Sequence, residues 1–251
     1  MRWCVRSAVC LCLVACASSA PQHEAVTRTS RSAHDTPDWQ LQPSERAAQQ
    51  EQRVAVEGIE GTLSRFDVDM AMQKREHEFA ACHEPRAHRV PALAGKVEFK
   101  IHVLRTGRVS DVHVRASDLG DRVLERCLSE AIQGAKFPSP HGGEADVVYT
   151  MLLEPARRGV APEQWEVGRV ESVLRKRRTE LLESCAAPRS SSFTVTAYVS
   201  RRGRVLAAGV AAPEAAPPAQ FDCIADALRS WPMPRPRKAI AKVTFPLRSG
   251  A

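Results

Sequence analysis

Cysteine is the reactive residue type most sharply placed in this 251-residue chain. Cys4, Cys10, Cys12 and Cys16 crowd the first sixteen residues, whereas Cys82, Cys127, Cys185 and Cys223 are spread over the rest. Cys82, His83 and His88 lie close together with His77 just before them, a set of side chains that zinc could take. The spacing argues against it. Neither C-x-x-C nor H-E-x-x-H occurs, and Cys82 has a counterpart, Cys185, that no histidine follows. A structural cystine is expected there and no metal. For nucleophilic catalysis there is no G-x-S-x-G elbow, and no glycine loop suited to phosphate is present. No catalytic residue and no cofactor is therefore assigned. His102 and His113 fall on the polar side of alternating stretches and read as solvated strand residues. The run Arg175-Lys176-Arg177-Arg178 reads as a solvated helix face.

The first cysteine group belongs to a leader. Arg2 and Arg6 make a positive start, Ser7 to Ala15 are uncharged and largely apolar, and Leu13-Val14-Ala15-Cys16 closes the stretch. So short a run cannot cross a hydrocarbon core, which takes about 20 residues, but it has the size of a signal-peptide core. The ending resembles the bacterial lipobox, which implies residues 1–15 as a lipoprotein signal peptide and lipidation at Cys16. The competing cleavage, after Ala20, would leave a soluble periplasmic protein. The expected address is the cell envelope, lipid-anchored and periplasm-facing. With Ala17 rather than Asp after the cysteine, resemblance favours the outer membrane.

Residues 16–52 are rich in Ser, Gln, Glu, Arg, His and Thr and read as a flexible, lipidated tether, since such a composition buries too little apolar surface to fold. The whole-chain charge is +7; without Arg2 and Arg6 it is 34 basic minus 29 acidic residues, or +5. Arg outnumbers Lys, and Ala and Pro are abundant, a bias of base composition, so the basic balance is no argument for nucleic acid. No nucleic-acid partner and no small-molecule substrate is inferred.

The second cysteine group belongs to an internal duplication. GKVEFKIHVLRTGRVSDVHVRAS, then DRVLERCLSEAIQGAKFPSP, then ADVVYTMLLEP is answered by SFTVTAYVSRRGRVLAAGVAAP, FDCIADALRSWPMP and AIAKVTFPLRS. Phe137-Pro138-Ser139-Pro140 is matched with Trp231-Pro232-Met233-Pro234. Each unit reads as helix, hairpin, helix, strand. Val97, Phe99 and Ile101 are expected opposite Ala116, Val114 and Val112, and Phe193, Val195, Ala197 and Val199 opposite Ala212, Val210, Ala208 and Leu206. The repeat pairs Cys82 with Cys127 and Cys185 with Cys223, in keeping with an even number of cysteines in an oxidising compartment.

At these residues the first unit resembles the AgmX/PglI C-terminal domain family of bacteria, which is similar to the TonB C-terminal domain. The matching residues are Cys82-His83-Glu84-Pro85, Gly95-Lys96-Val97, Gly107-Arg108-Val109, Cys127 and Phe137-Pro138. The expected class is α+β, with two tandem modules at 57–155 and 165–248, the second a degenerate copy lacking the Gly-Lys. Each is expected to be a three-stranded antiparallel sheet with two helices on one face. The resemblance implies a non-enzymatic envelope component that binds or braces another envelope protein, in the setting of motility or energy-transduction machines. A TonB-like module has an open sheet edge, so strand addition is the expected mode. The closing strands, through Val147, Val148, Tyr149, Val243 and Phe245, are the expected contact. The alternatives are an exported enzyme with a site between the modules and a spacer without a specific partner.

Overall fold

In a computed structural model the described residues are 54–57, 61–156, 159–187 and 191–248, all within one compact unit, Pro43–Ala251. Cys16, expected to be lipidated, and the stretches expected to be a signal peptide and a tether lie outside the described residues.

The chain is mixed α+β. The order is β1 (Val54–Glu57), α1 (Arg65–Gln73), α2 (Glu76–Arg89), β2 (Gly95–Val103), β3 (Val109–Ser117), α3 (Arg122–Gln133) and β4 (Ala145–Leu153). It continues with β5 (Glu163–Trp165), α4 (Glu171–Ser184), β6 (Ser192–Ser200), β7 (Val205–Ala211), α5 (Pro218–Arg229) and β8 (Ile240–Arg248). Among the described residues two sheets form, of order β1-β4-β2-β3 and β5-β8-β6-β7. Each has its own apolar core.

The hairpins follow from alternation plus one turn residue. Val97, Phe99, Ile101 and Val103 are buried while Glu98, Lys100 and His102 are half-exposed. Gly107 and Gly203 both have φ +76°, and a side chain on either would strike a carbonyl oxygen, of Phe137 or of Met233. Only glycine meets both demands at low cost. The Phe137 N–H donates to Gly107 O at 2.9 Å and the Met233 N–H to Gly203 O at 3.0 Å. One offset therefore relates the halves from hairpin to closing strand: 203 − 107, 223 − 127 and 233 − 137 are each 96.

Helix ends are specified locally. Ser64 caps α1 by accepting from the Asp67 N–H at 3.1 Å, and Asp121 caps α3 by accepting from the Leu124 N–H at 3.0 Å. Such caps satisfy donors that the helix leaves open. Pro218 occupies the first turn of α5, where its missing N–H costs nothing. Disulfides Cys82–Cys127 and Cys185–Cys223 tie α2 to α3 and the end of α4 to α5, with Cα separations of 5.8 and 5.7 Å. Closing loops of 45 and 38 residues stabilises the fold by about 4 kcal/mol each in the chain-entropy account.

Several expectations need correction. Each sheet has four strands, not three: β1 adds antiparallel to β4, and β5 adds parallel to β8. The added strands have four and three residues, too short to show a period, and they lie before or at the expected starts at 57 and 165. Bulges also shift the hairpin register. Val97 lies opposite Ser117 rather than Ala116, and Val199 opposite Val205 rather than Leu206, because an extra residue in one strand slips the pairing. At the corner Phe137 is answered by Met233, not Trp231, as the two hydrogen bonds to the turn glycines require.

Candidate functional site

The closing strands lie inside the sheets. Val147, Val148 and Tyr149 pair with β2 on one side and with β1 on the other. Val243 likewise lies between β6 and β5. Strand addition at these four residues is blocked, since their backbone groups already serve two neighbours. Phe245 pairs with Val195 of β6, and its side chain is buried in the second core. The expected contact surface is thus largely interior. Among the described residues, Thr150–Leu153 and Thr244–Arg248 have a neighbour on one side only.

The residues that converge instead lie at a seam between the halves. In the second half, both faces of the β6–β7 hairpin are buried, one against α5 and the other against the first half. Tyr198, on what would be the polar face, is fully buried and joins the first core. Its hydroxyl donates to Ala94 O at 2.8 Å and accepts from the Ala94 N–H at 3.0 Å. The Lys242 ammonium donates to the same carbonyl at 2.8 Å, with Asp118 at 3.5 Å. Burial pulls the Lys242 ammonium below its usual range, against the opposing effect of Asp118. Burial also raises the Tyr198 hydroxyl, so it stays a neutral donor. Gly120 has φ +76°, and a side chain there would strike Thr196 and Tyr198.

Helix α3 supplies the rest. The Arg86 guanidinium closes on the fully buried Asp121 carboxylate at 2.6–3.1 Å through three contacts. Arg122 donates to Asp222 of α5 at 2.8 Å and lies 5.2 Å from the centre of the Phe221 ring. Glu125, fully buried, accepts from the Ser117 hydroxyl at 2.8 Å and from the Val210 N–H of β7 at 3.1 Å. Burial pushes its carboxyl up to about 7, against the lowering effect of those two donors and of Arg122. The Ala212 N–H donates across the seam to Val114 O at 3.1 Å.

The equivalent face of the first sheet carries His102 in place of Tyr198 and Asp146 in place of Lys242, at the same offset of 96. His102 holds Asp146 through Nδ1 at 2.6 Å and Glu144 through Nε2 at 3.1 Å, and Lys100 lies 3.0 Å from Asp146. The Asp146 hydrogen bond, despite opposing burial, raises the imidazole above its usual range. Burial favours protonated Asp146, but the bonds from His102 and Lys100 outweigh it, and the carboxyl lies below its usual range. Carboxylates on both nitrogens favour the cationic form of the imidazole, so the group reads as an ion cluster. His113 is nearly buried, with no hydrogen-bond partner on either ring nitrogen among the described residues and Asp111 Oδ2 3.6 Å away. Two shallow grooves, of about 230 and 320 Å³, meet at Asp111, His113 and Ala215.

The sequence-expected residues divide accordingly. The four cysteines are joined as the repeat paired them. The Arg175–Arg178 run is exposed. Among the described residues no three of His, Cys, Asp and Glu are arranged to hold a metal, and no described helix is long and apolar enough to cross a membrane. The seam residues Asp121, Arg122, Glu125, Tyr198 and Lys242 were not singled out by sequence. One signal was available: Glu125 shares a helix face with Leu128 and Ile132, three and seven positions on, where a solvated carboxylate does not belong.

Set against protein-family models, curated proteins and solved structures, the chain matches none of them.

Proposed function

We propose that this chain is a non-enzymatic lipoprotein of the bacterial cell envelope, anchored through Cys16, that binds or braces another envelope protein. On this reading its halves are modules of the AgmX/PglI C-terminal, TonB C-terminal-like kind. The observation that carries it is the way the halves are made rigid. Each is stapled by a disulfide suited to an oxidising compartment, and a buried polar seam joins them. Such construction keeps a presented surface in one shape and lowers the ordering cost of binding.

Strand addition, on this reading, moves to the end of β4. Leu152 there is 57% exposed, an apolar side chain beside backbone with one described neighbour. Crosslinking in intact cells followed by mass spectrometry should return one recurrent envelope protein. Leu152→Asp should cut that yield severalfold while leaving stability within about 0.5 kcal/mol, as for an exposed substitution. An unchanged yield would remove β4 as the contact, and no recurrent protein at all would favour a spacer. Metabolic labelling with palmitate tests the anchor: Cys16→Ala should abolish the label.

A further inference from the structure

Other ionised side chains buried at the seam have an opposite charge beside them: Arg86 with Asp121, Arg122 with Asp222, Lys242 with Asp118. Glu125 forms no ion pair among the described residues; the nearby Arg122 charge favours its ionised form, but that guanidinium is paired with Asp222. Its two oxygens meet a hydroxyl and a peptide N–H, both uncharged. We propose that Glu125 is a pH-sensitive clamp between the two halves: uncharged, its carboxyl holds the seam closed on β7, and ionised, it loosens it.

The geometry ties ionisation to opening. Oε1 occupies the space where a side chain on Gly209 would project, so the carboxyl lies against the bare β7 backbone. Water can solvate a carboxylate there only if β7 moves away from α3. Glu125 belongs to α3, and the charged groups around it are already engaged. On α3 itself, Asp121 is bound to Arg86 of α2, and Arg122 and Arg126 to Asp222 of α5. Beyond β3, Asp118 lies beside Lys242 of β8, and β6 presents the neutral Tyr198. From β7 come only the backbones of Gly209 and Val210. The neutral acid can be held there with the Ser117 bond reversed: a protonated Oε1 donates to the hydroxyl oxygen, which also accepts from the Leu119 N–H at 3.1 Å, and the hydroxyl proton turns away.

Closed, the carboxyl titrates at about 7; open and hydrated, it returns to about 4.5. A raised carboxyl stabilises the closed seam fully below the lower value, loses that effect as pH climbs to the upper one, and adds no further slope above it. Across that window the opening constant rises by at most a few hundredfold, and by roughly tenfold or more between pH 5 and 7.5.

Hydrogen exchange of the whole protein, corrected for intrinsic rates, measures this at the Leu119 and Val210 amides. The wild type should show the rise, and Glu125→Gln, which keeps the shape without the charge, should show less than about a third of it. A flat wild-type profile, or the same rise in Glu125→Gln, would overturn the proposal. Should Glu125→Gln fail to fold, carbon-13 labelling of glutamate carboxyls in the wild type decides. One carboxyl titrating near neutral supports the clamp; none titrating above about pH 6 refutes it.

Discussion

Tyr198→Phe removes one oxygen atom from the seam, and its effect can be worked from the contacts. The ring stays, so packing against Gly120 and the first core is kept. Two hydrogen bonds to Ala94 are lost, at 2.8 and 3.0 Å. The Ala94 carbonyl retains the Lys242 ammonium at 2.8 Å, but its N–H loses the hydroxyl. A net hydrogen bond contributes about 1 kcal/mol, and a stranded buried donor costs about 1–3 kcal/mol. With one acceptor still served, the sum is about 2–3 kcal/mol. In a domain of this size each kcal/mol moves the midpoint by about 2–4 °C, so calorimetry should show a fall of roughly 5–10 °C. Exchange should quicken at the Ala94 amide and around 118–120 before it does in the disulfide-tied helices. A fall under about 1 °C, with Ala94 exchange unchanged, would refute the view that this contact cements the halves.

Arg86→Ala should be more damaging, by about 3–5 kcal/mol, because it leaves the fully buried Asp121 carboxylate without its cation; denaturant unfolding measures it. Arg86→Lys should recover only part, since a bidentate fork becomes a single charge. Peptide mapping without reductant should return Cys82 with Cys127 and Cys185 with Cys223, and reduction should lower stability by about 4 kcal/mol per bond. The His102 imidazole should titrate above its ordinary range by NMR and move down in Asp146→Asn. Its contribution is present below the ordinary value and lost as pH rises through the raised one.

Much of the architecture was legible because it is local or repeated. Alternation in 97–103 and 193–199 marks two strands, Gly107 and Gly203 mark the turns, and constant spacing from glycine to cysteine selects the disulfide partners. Other features were not legible for definite reasons. Strands β1 and β5 are too short to carry a period, so the closing strands looked like edges when they are interior. The register shifts after Glu98, His102 and Tyr198 change pairing without changing composition.

The two hairpins show most clearly where sequence stops and tertiary structure begins. By itself the sequence determined that β3, VSDVHVRAS, has one wet face, and that β7, VLAAGVA, has none that is clearly polar. A strand apolar on both faces must be covered on both. What covers it was decided only in three dimensions, by the first-half segments around Ala94, Gly120 and Glu125 docking there. The residues at that contact are 76 to 148 positions apart in the chain. Side-chain periodicity records whether a face is dry, and it carries no information about which distant segment dries it.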